Sequence, residues 1–169
     1  MSTLITNTVQ GVQNIKYDAS TTAMTIDSTG RILTPTRPHA LVSFGEGASD
    51  TYVSVANDAV LPFDTIVHEV GSNYDTTNKR YVIPVSGLYQ VCFNCIFNSV
   101  TSFNCQLRVD GTVVHRWYIA DARHMTWTVL VEVSASSYFD IVHNTGSTAS
   151  IHGGDGTNMF TSVSYTLIG

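Results

Sequence analysis

Every cysteine of the chain lies within one short stretch, "CFNCIFNSVTSFNC", from Cys92 to Cys105. Cys92 and Cys95 form a Cys-x-x-Cys, the spacing of zinc knuckles and of redox-active dithiols. A zinc site needs both sulfurs turned toward one ion, as a tight turn allows. A redox pair of the thioredoxin type needs the motif at the start of a helix. The surrounding residues read instead as a strand, Leu88–Phe97, in which successive side chains point to opposite faces. An odd separation then puts Cys92 and Cys95 on opposite faces, and neither chemistry fits. Tyr89, Val91, Phe93, Cys95 and Phe97 make the apolar face. Leu88, Gln90, Cys92, Asn94 and Ile96 make a mixed one. In the next strand Cys105 shares a face with Phe103, Leu107 and Val109. Cys95 and Cys105 are therefore expected in the core as small hydrophobes. Gln90, Cys92 and Asn94 mark a face expected to be buried against another subunit.

Two further stretches gather residues capable of chemistry. "HGGDGTN", His152 to Asn158, lacks the Lys-Ser/Thr of a phosphate-binding loop. It offers one carboxylate, Asp155, where calcium wants several oxygen ligands. It reads as a surface loop, and His152, Asp155 and Asn158 are its candidates for contact with a receptor. "HRWYIADARHMTW" brings together His115, Trp117, Tyr118, His124 and Trp127, aromatics with polar tips suited to sugar stacking or to an interface. The same spacing also suits the alternating core and rim residues of two strands. No nucleophile elbow, spaced triad or zinc-ligand pair of histidines occurs. The chain is expected to have no catalytic residues, no metal and no cofactor, and not to be an enzyme.

Helical periodicity is nearly absent. Short alternating runs rich in Val, Ile, Thr, Tyr and Phe recur between turn signals, the pattern of an all-β sandwich or barrel. Strands are expected at 40–44, 51–55, 65–70, 80–84, 88–97, 103–109, 112–118, 126–133, 138–143 and 160–168. Asp110-Gly111 between "QLRV" and "TVVHRWY" is a hairpin signal. "GSNYDTTNK" and "NTGSTASIHGGDGTN" read as loops. Pro35 and Pro38 divide the chain. Residues 1–38 have too few large apolar side chains for a core and show two short strands around Ser28-Thr29-Gly30, whereas 39–169 can fold alone.

Composition narrows the partners. Of 169 residues, 43% are apolar and only 12% charged, about half the usual charged share. The net charge of −5 and eight scattered Lys and Arg leave no basic stripe, so nucleic acid is not expected as a partner. No run reaches the roughly 20 apolar residues of a membrane helix, and membrane insertion is not expected. The N-terminus does not read as a signal peptide, and the odd cysteine count fits synthesis in a reducing cytosol.

"SNYDTTNKRYVIPVSGLYQVCFNC" resembles the signature of C1q-like domains in the C1q/TNF-like jelly-roll superfamily. The matching residues are Tyr74-Asp75, Tyr81, Pro84, Gly87, Tyr89 and Phe93, the last a position or two late. "LRVDGTVV" matches the family's exposed hairpin, "SYFDIVHN" its penultimate strand and "FTSVSYTLIG" its apolar final strand. The Phe-Ser-Gly of that last strand is absent, as is a collagenous stalk. "MSTLITNTVQ" and "TTAMTIDSTGRILTPTRP" are similar to N-terminal segments of tail-fibre and related virion proteins of marine and cyanobacterial phages. The resemblances imply an all-β, two-sheet antiparallel jelly-roll knob over 39–169, behind an extended attachment segment over 1–38. They imply a homotrimer that packs one sheet of each protomer on its neighbours. Residues 1–38 would hold other virion structural proteins, and the loops would contact a host cell-surface glycan or protein. The expected setting is the exposed virion surface, after synthesis in the host cytoplasm. The alternative is a secreted or surface-displayed bacterial C1q-like binding module.

Overall fold

The computed structural model describes residues 14–16, 19, 22–34, 36–44, 52–98, 102–120, 123–153 and 159–169. It divides into two compact units, Met1–Arg37 and Pro38–Gly169. Among the described residues of the first unit are three short antiparallel strands, β1 (Asn14–Lys16), β2 (Thr22–Ile26) and β3 (Ile32–Leu33). The β2–β3 turn is organised by Asp27. Its carboxylate accepts the amide of Thr29 at 2.9 Å, the Thr29 hydroxyl at 2.7 Å and the Arg31 amide at 3.0 Å. These bonds, with the Arg31 side chain, hold the Asp27 carboxyl down at about 2. Ile15, Ile32 and Leu33 remain exposed, so these described strands leave much of their apolar surface uncovered.

The second unit is a two-sheet antiparallel jelly-roll sandwich. Its strands are β4 (His39–Ser43), β5 (Tyr52–Val55), β6 (Thr65–Val70), β7 (Tyr74–Asp75), β8 (Arg80–Val82), β9 (Gly87–Phe97), β10 (Ser102–Val109), β11 (Thr112–Ala120), β12 (His124–Val133), β13 (Tyr138–His143), β14 (Ala149–His152) and β15 (Ser162–Leu167). One sheet runs β7-β8-β13-β10-β11. The other runs β6-β4-β15-β9-β14-β5, with β14 pairing the end of β9 at Ile96 and Phe97 and with β12 also paired to β9.

Alternation explains this layering. Tyr89, Val91, Phe93, Cys95 and Phe97 of β9 are all buried, while the residues between them are half-buried. They meet Phe103, Cys105 and Leu107 of β10 and Phe139 and Ile141 of β13 across the core. A tyrosine cluster seals one end: the Tyr81 and Tyr165 rings stack at 4.9 Å, and Phe139 lies 5.8 Å from Tyr165. Asp110 and Gly111 both take positive φ, 50° and 78°, as a two-residue hairpin between twisted strands requires.

The cysteines follow strand parity. Cys95 and Cys105 are fully buried and Cys92 half-buried on the other face, all as free thiols. Burial pushes the Cys105 thiol well above its usual range, and the neighbouring Cys95 adds to the effect.

Two strands of this second unit are missed by the sequence expectations, and most of the expected boundaries move by one or two residues. Part of "NTGSTASIHGGDGTN" is the strand β14, which pairs with β5 and β9. Its inward residues, Ala149 and Ile151, are too few to stand out among Ser, Thr and Gly. Tyr74-Asp75 inside "GSNYDTTNK" forms β7 against β8. The last strand begins at Ser162 rather than Phe160, and Thr51 lies outside the described residues.

Candidate functional site

The outer face of the β4-β15-β9-β12 sheet is built by the half of each strand that does not enter the core. On β9 it carries Leu88, Gln90, Cys92, Asn94 and Ile96, all half-buried. On β15 it carries Ser162, Ser164 and Thr166, paired with Asn94, Cys92 and Gln90 in turn. On β12 it carries His124, Thr126, Thr128, Leu130 and Glu132, all exposed. His39 and Leu41 of β4 complete it. The sequence-derived trio Gln90, Cys92 and Asn94 thus stands in the middle of one continuous face. Of the flanking positions on β12 and β15 the sequence drew attention to His124 alone, as one of an aromatic group, although strand parity would have found the others.

Hydrogen bonds fix the centre of this face. Asn94 donates from Nδ2 to the Phe160 carbonyl at 2.8 Å, which turns its Oδ1 outward. That oxygen accepts the Thr126 hydroxyl at 2.9 Å and lies 2.5 Å from His124 Nε2. An amide oxygen only accepts, so Nε2 carries the hydrogen. The Thr128 hydroxyl donates to Cys92 Sγ at 3.4 Å. Among the outer positions of β4, β9, β12 and β15, Glu132 is the one Asp, Glu, Lys or Arg.

The opposite sheet has a different exterior. Asp75, Arg80, Arg108, Arg116 and Asp140 all lie on its outer side, together with Tyr138 and Tyr118. Arg108 binds Asp140 in a two-pronged pair, with both N–O distances 2.7 Å. The Arg80 guanidinium stands 4.7 Å over the Tyr138 ring. One sheet therefore presents charge, and the other presents hydroxyls, amides and a thiol.

The remaining candidates separate. His152 is the last residue of β14 and is 7% exposed, closed in by Tyr52 at 4.4 Å and Phe160 at 4.5 Å. It is a packed strand residue rather than an exposed loop residue. Asp155 and Asn158 lie outside the described residues. In the aromatic group, Trp117 and Trp127 stack on each other and Trp127 is buried, Tyr118 is 65% exposed, and His124 joins Asn94. These residues do not converge on one pocket. A cleft of about 530 Å³ opens between Val109 and Val114 of one sheet and Val131 and Val133 of the other. It is rimmed by Ser86, Ser134, Ser137 and Glu132, hydroxyls and one carboxylate with no imidazole to act as base. No group of three metal-ligating side chains occurs among the described residues.

No protein-family model and no curated protein matches this sequence. Solved structures do match. The globular domain of zebrafish complement 1qA superimposes with a TM-score of 0.62 at 9% identity, over 79% of this chain and 98% of that one. An Eiger TNF from S. frugiperda gives 0.58 at 12% identity, over 79% and 94%. Murine APRIL gives 0.57 at 8% identity, over 78% and 99%. Likeness at such identity speaks to the fold, and the fold of this chain is the C1q/TNF-like jelly-roll.

Proposed function

We propose that the jelly-roll is a self-associating, non-enzymatic head, a homotrimer joined through the outer face of β4-β15-β9-β12. The observation that carries this reading is the near absence of formal charge from that face. Symmetric association brings a side chain near copies of itself, so a carboxylate or guanidinium there would meet its own sign. Hydroxyls and primary amides carry both a donor and an acceptor, so Ser164, Thr166, Thr128 and Gln90 can pair with their own kind. Leu130, 53% exposed in the single chain, adds apolar area that association would bury. The resemblance of residues 24–38 to phage fibre linkers supports mounting on a virion through residues 1–38. The charged sheet and the loops would then face a host glycan or protein.

Light scattering on the full chain tests the association. The expected mass is three times the 18.4 kDa protomer, and Ser164→Arg, placing like charges together, should give monomer with unchanged near-ultraviolet circular dichroism. A monomeric native chain at micromolar concentration would sink the reading. Antibody labelling of particles by electron microscopy tests the virion setting. Label on bacterial surfaces without particles would favour the bacterial binding module instead.

A further inference from the structure

Most aromatic rings at the surface of the jelly-roll have a partner. Trp117 and Trp127 stack on each other, Tyr138 lies under the Arg80 guanidinium, and Tyr52 packs on His152. Tyr118 of β11 does not. It is 65% exposed, and its ring meets no other ring or cation among the described residues. It stands on the outer side of the charged sheet, opposite Asn104 of β10. Arg116, also exposed, lies two residues back on the same strand and the same side, opposite Gln106. We propose that Tyr118, Arg116 and Gln106 form a binding platform for an acidic sugar, a pyranose carrying a carboxylate or a sulfate. The Tyr118 ring takes the apolar face of the sugar, the Arg116 guanidinium its acid group, and the Gln106 amide a hydroxyl. This inference rests on the reading of the charged sheet as glycan-facing and names the class of sugar.

The acid group follows from the charges. The other charges of this sheet and its margins are matched within the protomer. Asp140 holds Arg108 through both oxygens, and Asp75 binds Arg80 at 3.4 Å. Asp110 accepts the Tyr138 amide, and Asp58 accepts the side-chain amides of Asn57 and Asn144. Arg116 makes no ion pair among the described residues. A chain of net charge −5 therefore shows one unmatched guanidinium on this sheet. Its complement is an anion that presents two oxygens to the fork.

Gln106 supplies the second pointer to a ligand. It is 6% exposed, yet its side-chain amide makes no hydrogen bond among the described residues. That is an uncommon state for a polar group so largely buried. The amide atoms are not sealed from solvent, so a sugar hydroxyl can supply the missing bonds. Side chains two apart on a strand stand about 7 Å apart, and directly opposed ones about 5 Å. A single sugar residue can therefore reach ring, guanidinium and amide together. β11 is the edge strand of its sheet, so the platform is open on one side and can admit an internal residue of a polymer.

The test is isothermal titration calorimetry of the full chain with oligosaccharides of galacturonate, glucuronate, sialate and sulfated galactose. Neutral lactose is the comparison, and light scattering is run alongside. The expected result is binding of an acidic sugar about tenfold tighter than lactose, and which one binds separates carboxylate from sulfate. Arg116→Gln should reduce that sugar to the level of lactose, and Tyr118→Ala should remove binding of both. Both side chains are exposed, so the melting temperature of each variant should match that of the unmodified chain. No binding of any acidic sugar by a trimeric chain would overturn the platform and leave the self-association standing. So would acidic-sugar binding that persists at full strength in either variant. A monomeric chain that binds the acidic sugar and loses it in both variants would remove the self-association and leave the platform.

Discussion

Trp117 of β11 and Trp127 of β12 stack face to face, with ring centroids 3.4 Å apart and planes within 4°. They come from different sheets, so this contact bridges the two sheets at the edge where β11 and β12 end them, beside the cleft between Val114 and Val131. The stack is extended on both sides, by Phe93 at 4.9 Å from Trp127 and by His115 at 3.8 Å from Trp117. What looks in the sequence like a group of sugar-stacking aromatics is in part the lateral seal of the core.

Removing that seal should be costly in a graded way. Trp127→Ala leaves a large cavity under Phe93 and should cost about 3–5 kcal/mol. Trp127→Phe keeps the stacking and removes an indole N–H that has no hydrogen-bond partner within the described structure. It should cost less than about 2 kcal/mol, since the loss of ring area is offset by the loss of an unpaired buried donor. Urea titrations followed by circular dichroism would rank the two, and equal costs would refute the seal.

Arg108 and Asp140 make a second cross-strand element, on the outer side of the charged sheet. The Asp140 side chain is 7% exposed and that of Arg108 23%, so each depends on the other for its solvation. Bonding to Asp140 is the main reason the guanidinium is held above its ordinary range. Arg108→Ala strands a buried carboxylate and should cost about 3–5 kcal/mol. The double replacement Arg108→Met/Asp140→Leu should recover most of that loss, because no charge is then left without a partner. A double-mutant cycle in the same denaturant assay checks this, and simple additivity of the two single losses would contradict it.

The sequence carried the faces better than the neighbours. Strand parity alone placed Cys95 and Cys105 in the core and Cys92 outside it, because one buried face makes a two-residue period unmistakable. The jelly-roll itself was legible in Pro84, Gly87 and Tyr89. Which strands oppose one another is not written in any local pattern, so the Trp117–Trp127 contact and the row from Thr126 through Asn94 to Ser162 appeared only in three dimensions. β14 was hidden for a different reason: its core contribution is two residues, Ala149 and Ile151, inside a run of turn-forming types. His152 was misplaced with it, from a strand end to a loop.

Gly87 has a reason of its own. A Cβ there would lie 2.4 Å from the Gly169 carbonyl oxygen and 2.8 Å from Leu167 Cδ1. That carbonyl accepts the Leu88 amide at 2.6 Å, so the close approach is part of how the chain's last residues dock beside β9. Gly87→Ala should force the backbone apart and cost about 1–3 kcal/mol. Hydrogen exchange should show faster exchange at Leu88 and Ile168 than in the unmodified protein, with β10 and β13 unaffected. Unchanged protection at Leu88 would mean that the docking does not require glycine.

His143 should make the fold itself sensitive to acid, separately from any effect on association. Its ring is fully buried, stacks on Phe103 at 4.8 Å and lies with Nδ1 3.2 Å from the Ala56 carbonyl. That carbonyl only accepts, so Nδ1 holds the hydrogen and Nε2 faces the interior as a bare lone pair. Burial lowers the tendency of this imidazole to take a second proton, against smaller opposing effects from the Ala56 carbonyl and Asp58. The unfolded chain, with an ordinary histidine near 6.5, therefore binds more protons than the native one below that pH. Stability from this residue is full above that value and declines as pH falls toward the depressed native value. His143→Phe should flatten the loss of thermal stability across this window while lowering stability at neutral pH, because the Ala56 carbonyl loses its donor. The melting temperature measured against pH for both proteins decides the matter, and parallel curves would show that His143 does not carry the effect.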